Sequence, residues 1–303
     1  MTVGTPPGGE TSLTEASLTI GMLAEAGGVS VKTVRYYSDQ GLLPGAGRST
    51  GGHRRYGAAD LARLRELRGL RALGLSLPTA AEVARGELPL ERALAAERAE
   101  VARQLAELRW REAALAALAK APDRLPVLGA ALQGPPTLDP FAAFWRRVLP
   151  VRLPSGLKSA IVDAVLPDLP TDPTPDQVLA YAELHALAND RALAAAARTP
   201  AGKDPARLAL VYQGADEAYR LALAELARGA EPAPGQALDC YVAAFARGAG
   251  RTDDAAFRRE LTGLRLTHPA VDRYWSLVGV LHDGRPTMGD AHDWITAALR
   301  SAR

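Results

Sequence analysis

Along most of the chain the apolar residues recur every three or four positions, the spacing of one face of a helix. Between Thr19 and Leu43 this pattern predicts helix, turn, helix. Thr19 caps a short helix carrying Ile20, Leu23 and Ala24, the glycine pair 27–28 breaks it, Ser30 caps the next helix and Gly41 ends that one. Leu23, Val29, Val34 and Leu42 are its expected shared core. The stretch "PGAGRSTGGHRRYG", 44–57, is glycine-rich with a polar tip between basic flanks, and predicts a small hairpin or wing. Helical spacing returns over 58–77 through Leu61, Leu64, Leu67 and Leu70, and Pro78 opens another short helix to about Arg85.

From Leu90 to Lys120 there is neither Gly nor Pro, which predicts one helix of roughly thirty residues and about 45 Å. Leu94, Val101, Leu108 and Leu115 recur every seven residues with Leu105 and Leu118 beside them, while Arg98, Arg103, Glu107 and Arg111 fill other faces. Two readings of this stripe stay open: a dimerising coiled coil, or packing against the chain's own C-terminal half. Arg98 and Glu112 fall at seam positions, so the seam is imperfect. "QGPPTLDP", 133–140, reads as a break between domains. The chain beyond residue 140 is rich in Ala and Leu, is divided by Pro-containing breaks at 167–175, 200–205 and 232–235, and shows no strand alternation.

The fold expected is mainly α: a disordered tail over 1–17, a winged helix-turn-helix with a small β-hairpin over 18–88, a dimerisation helix over 89–121, a linker over 122–140, and an all-α effector-binding domain over 141–303.

Composition sharpens this picture in three places. Hydrophobic residues make up 48% of the 303 positions, yet charges interrupt every apolar stretch well before the eighteen or so residues that span a bilayer. The first fifteen residues lack the charged start and apolar segment of a signal peptide, so a cytoplasmic protein is expected. The single cysteine, Cys240, excludes a disulfide or a thiolate metal cluster within one chain. Net charge is only +2, but between Leu18 and Leu75 nine Lys or Arg stand against four acids, the local excess expected of a phosphate-binding surface.

The candidate chemistry lies in that segment. The second helix presents Ser30, Lys32 and Thr33 in its first turn, with Arg35, Tyr36 and Tyr37 following; the wing adds Arg48, Arg54, Arg55 and Tyr56. A helix so decorated can enter a major groove, its cations neutralising phosphates or reaching guanine edges and its tyrosines offering hydroxyls to phosphate.

Residues 18–77 resemble the winged helix-turn-helix of the MerR-type transcription regulators. The likeness runs through Ile20, Ala24, Gly28 to Ser30, "RYY" at 35–37, "GLL" at 41–43, Gly52, Arg54 and Tyr56, and the helix after Asp60. Met22 departs from it, standing where an acid often follows the first cap. The resemblance implies a homodimer joined by an antiparallel coiled coil, which binds, bends and untwists double-stranded promoter DNA and acts on RNA polymerase. It further implies that the arginines and tyrosines of helix and wing clamp the backbone on both sides of a groove.

Metal-responsive members of this family hold their inducer with cysteines near the end of the long helix; this chain has none there, and no Asp-x-His-x-x-Gly cobalamin loop. Twelve of the sixteen aromatics lie beyond residue 140, which points to an organic small-molecule inducer or drug held in an apolar pocket. Trp145, Tyr212, Tyr219, Tyr241, Phe245, Tyr274 and Trp275 are candidates for its wall, alongside Phe141, Phe144 and Trp294; ordinary core packing is the competing reading for each. Cys240 beside Tyr241 and Val242 reads as a buried cysteine, with capture of an electrophilic drug as the other reading. "HDGRPTMGDAHDW", 282–294, gathers His and Asp at spacings that fit no known metal site, and Asp290 reads as a helix cap. No cofactor, metal ligand or catalytic residue is expected, since neither a Ser-His-Asp order nor a P-loop or dinucleotide fingerprint occurs. The alternative function is a drug-sequestering protein or enzyme in the C-terminal half with an autoregulatory DNA-binding domain.

Overall fold

The computed structural model describes residues 17–45, 47–197, 204–263 and 268–302. The chain divides into two compact units, 1–104 and 105–303. The expected tail lies outside the described residues except for Ser17.

In the first unit, α1 (Ile20–Gly27) starts where Thr19 Oγ1 accepts the Met22 N–H at 3.3 Å. It ends at Gly28, whose φ of 64° a side chain resists. α2 (Val31–Asp39) begins at Ser30, which accepts the Thr33 N–H at 3.1 Å. The wing is a two-residue ladder, β1 (Gly47–Arg48) antiparallel to β2 (Arg54–Arg55), with Gly47 opposite Arg55. Leu18 and Tyr56 extend it by exchanging backbone hydrogen bonds of 2.7 and 3.0 Å. α3 (Ala58–Ala72) starts behind Gly57, whose N–H donates to the Asp60 carboxylate at 2.9 Å, and α4 (Leu77–Ala84) behind Ser76. Leu23, Val34, Leu42, Leu64 and Leu67 form the core, with Val29 half-buried at its edge.

α5 (Leu90–Lys120) is continuous through the boundary between the units. In the second unit it is followed by a 3-10 turn, Pro122–Arg124, and by α6 (Leu125–Ala131). These lie inside the stretch expected to be a linker. The apolar run Leu125 to Leu128 lets it fold as a short helix, with Leu128 and Ala131 buried in the core. The remaining helices are α7 (Asp139–Val148), α8 (Ser155–Val165), α9 (Pro175–Asn189), α10 (Arg191–Ala196), α11 (Pro205–Ala227), α12 (Gln236–Ala249), α13 (Ala255–Gly263), α14 (Pro269–Leu281) and α15 (Met288–Ser301). One apolar cluster gathers α7, α9 and α14 with the end of α5, and a second gathers α11, α12 and α15. α11 and α12 approach closely because Gly214 and Gly248 lie between them: a Cβ at Gly248 would stand 2.1 Å from Val211 Cγ2.

Candidate functional site

The first candidate surface is the exposed side of α2. Ser30, Lys32, Arg35 and Tyr36 are exposed, while Thr33 is half-buried with its hydroxyl 2.9 Å from that of Ser30. The adjacent tyrosines divide. Successive helical residues turn by about 100°, so Tyr37, three after Val34, falls on the core face, whereas Tyr36 points outward and is 51% exposed. Tyr56 is likewise enclosed, with its hydroxyl 2.8 Å from Ser38 Oγ. Of the three tyrosines expected to form clamp surfaces, with packing of the wing against the helix as the other role for one of them, Tyr56 packs the wing on α2, Tyr37 is enclosed as well, and Tyr36 is exposed.

The wing cations are also partly occupied. Arg54 Nη1 lies 2.8 Å from Asp39 Oδ1, which raises the guanidinium's pKa through that hydrogen bond, and Arg48 donates to the Gly52 carbonyl at 3.0 Å. Arg55 is half-buried. The four α3 arginines that swell the local charge count hold backbone instead, Arg71 donating to the Leu75 carbonyl. Arg65 and Arg68 donate to the Ala26 and Gly27 carbonyls at the end of α1, at 3.2 and 3.0 Å, and Arg63 to Ala84 at 2.8 Å. Cations at such carbonyls offset the helix dipole.

On α5 the predicted stripe separates in two. Leu94 packs half-buried on the first unit's core, but Val101, Leu105, Leu108 and Leu115 are 52, 46, 61 and 61% exposed. Trp110, Ala113, Ala114 and Ala117, roughly opposite at 100° per residue, are buried in the second unit. There the Trp110 N–H donates to the Pro170 carbonyl at 3.1 Å and its ring meets Tyr181 edge-on at 5.1 Å. The two readings of the helix thus use different faces: Leu118, expected beside the stripe, packs on the second unit's core, while Trp110, Ala113, Ala114 and Ala117 were not among the predicted positions.

The second candidate site is a cavity of about 510 Å³ within the second unit. Of the predicted wall residues, Trp145, Tyr212, Tyr219 and Trp275 line it. Tyr241, Phe245 and Tyr274 do not. The Tyr274 hydroxyl donates to the Val165 carbonyl at 3.0 Å, and the Tyr241 and Phe245 rings pack on each other at 4.7 Å. Trp294 is also core, its N–H donating to the Ala230 carbonyl at 2.9 Å. Sequence reasoning missed the polar lining: Asp216, Asp272, Asp293, His268 and His292. The signal that could have found part of it is "AHDW", whose His and Asp suggest metal ligands before they suggest a cavity wall.

His292 Nδ1 lies 3.2 Å from the Tyr219 hydroxyl and 3.5 Å from that of Tyr241, within hydrogen-bonding reach of both. Burial holds this imidazole below the usual histidine range and pushes Tyr219 and Tyr241 upward. Asp290 caps α15, accepting from the backbone N–H and hydroxyl of Thr287 at 2.7 and 2.8 Å. Among the described residues no group of three or more His, Cys, Asp or Glu is arranged to hold a metal ion, and no helix is long and apolar enough to cross a membrane.

Residues 18–87 match the family model of the MerR helix-turn-helix regulatory proteins. The chain is 46% identical over 69 residues to the mercuric resistance operon regulatory protein of Serratia marcescens, covering 23% of this chain and 48% of that one. It is 46% identical over 61 residues to the transcriptional activator TipA of Streptomyces coelicolor, covering 20% and 24%. A crystal structure of HiNmlR, described as a MerR family regulator lacking the sensor domain and bound to promoter DNA, shares 30% identity over 37% of this chain and 91% of that one, with a TM-score of 0.25. The chain spans about half the length of the mercuric resistance relatives it matches. Residues 18–87 are a helix-turn-helix domain of the MerR family of regulatory proteins.

Proposed function

We propose that the protein is a cytoplasmic transcription regulator that binds promoter DNA as a homodimer, distorts it, and changes its effect on RNA polymerase when the C-terminal cavity takes up an organic molecule. The observation that carries this reading is the pairing, on one continuous helix, of a MerR-family DNA-binding domain with a cavity-bearing helical unit. α2 enters the major groove, with Lys32 and Arg35 contacting phosphates or base edges, Ser30, Thr33 and Tyr36 contacting the backbone, and Arg48, Arg54 and Arg55 gripping from the wing. The exposed stripe Val101, Leu105, Leu108 and Leu115 seats the second copy of the chain, which removes its apolar surface from water.

A ligand changes the balance between two states of such a dimer only by binding them unequally, and α5, with Trp110 packed against the cavity-bearing unit's core, carries that bias. Sequencing the DNA that the full chain pulls down from its own cells, then measuring transcription from those sites with and without the chain, tests the reading. Discrete enriched promoters with altered output are expected; uniform recovery of DNA, or output indifferent to the chain, contradicts it.

A further inference from the structure

Besides His268 and His292, the cavity's ionisable lining is rich in carboxylates. Asp216, Asp272, Asp290 and Asp293 border it, and among the described residues no Lys or Arg does, although the chain as a whole carries 36 Lys or Arg against 34 acids. Two of these carboxylates have work elsewhere: Asp290 caps α15, and Asp216 lies 3.6 Å from Arg220 one turn along α11. Asp272 and Asp293 remain, both exposed to solvent at the cavity. Each favours the charged form of His292, yet burial outweighs them and holds that imidazole below the usual histidine range.

The rest of the lining is aromatic and apolar, with Trp145, Tyr212 and Trp275 on it. Trp145 is only 7% exposed, and its indole N–H makes no hydrogen bond of good geometry, leaning on the Tyr274 hydroxyl without a well-formed bond. That N–H faces Tyr274, which does not line the cavity, so Trp145 offers the cavity its ring. Carboxylates beside aromatic faces attract a cation twice, through its charge and through the ring quadrupoles, and repel an anion of the same shape.

We infer that the cavity takes a cationic organic molecule, a polycyclic aromatic amine, with Asp272 and Asp293 holding its charge and Trp145, Tyr212 and Trp275 its rings. This rests on the reading of the cavity as the sensor site.

The test uses two probes of equal ring size and opposite charge, 1-pyrenemethylammonium and 1-pyrenecarboxylate, titrated into the full chain while energy transfer from tryptophan to pyrene is recorded. The ammonium should bind at least tenfold more tightly than the carboxylate at low salt, and that preference should shrink as salt rises. Asp272→Asn with Asp293→Asn should remove most of the preference while leaving the carboxylate's affinity unchanged or raised, and circular dichroism of the variant should match the parent. Equal or tighter binding of the carboxylate overturns the charge assignment and leaves the cavity as a ligand site. A preference that survives the double replacement overturns the role of these two carboxylates. Binding of neither probe overturns the sensor reading itself, and the inference with it.

Discussion

The phenolic oxygen of Tyr56 lies 2.8 Å from the hydroxyl of Ser38, and both residues are buried. This bond ties the strand that leaves the wing to the last turn of α2, so that two elements proposed to grip DNA move as one. In the proposed reading Tyr56 acts on DNA by fixing geometry. Tyr56→Phe leaves the Ser38 hydroxyl without this partner and should cost about 1 kcal/mol of stability in urea unfolding. Sequence preference on DNA should stay as it was. Unchanged stability with altered base preference would show that the phenol reads DNA directly.

Arg54 is held by Asp39 at 2.8 Å, and both side chains are about half exposed. Asp39→Asn frees the guanidinium and should strengthen binding to many DNA sequences at low salt, steepening the salt dependence by about one unit. An unaltered slope, measured by fluorescence anisotropy between about 50 and 200 mM salt, would mean that Arg54 does not face phosphate.

Val101 and Leu108 stand on the exposed stripe of α5, whereas Leu94, seven residues before Val101, is half-buried on the core of the DNA-binding unit. Val101→Glu with Leu108→Glu should yield a folded monomer in sedimentation velocity. Leu94→Ala should instead lower the stability of the DNA-binding unit, with dimerisation less affected. Monomers in the unaltered protein at micromolar concentration would contradict the assigned interface.

Burial lowers the pKa of His185, His282 and His292 below the ordinary histidine value, with desolvation the leading cause for each. The unfolded chain then binds protons near pH 6.5 that the folded chain refuses, so stability is full above that pH and falls as pH drops through it. His292→Gln should flatten part of the decline between about pH 7 and 5 in denaturant titrations, the other two histidines keeping the rest. An unchanged slope would mean that His292 charges as readily folded as unfolded.

Much of the N-terminal unit was legible because its signals are local. Thr19, Ser30 and Gly28 cap or end helices wherever the rest of the chain lies, and the order of "RYY", "GLL" and Gly52 to Tyr56 carries the family likeness. Contact roles were less legible, since the side chains of Tyr36 and Tyr37 are alike in sequence and part only through helical phase. The opposite faces of α5 illustrate the same limit: a heptad of Leu and Val is visible, but Ala113, Ala114 and Ala117 around Trp110 are small residues in an Ala-rich helix with no distinguishing pattern. The cavity was the least legible feature, because its lining is shared among α7, α8, α11, α14 and α15, and where those faces meet is a tertiary property that spacing along one helix does not encode.

The proposed function depends on this chain reading a discrete DNA sequence as a dimer. The decisive experiment is selection of duplexes from a random library by the full-length protein, followed by footprinting of the selected site. An enriched inverted repeat protected over both halves is expected, because two copies related by a two-fold axis present their α2 helices to symmetric half-sites. Recovery of a single unrepeated element, or of no preferred sequence at all, would contradict it.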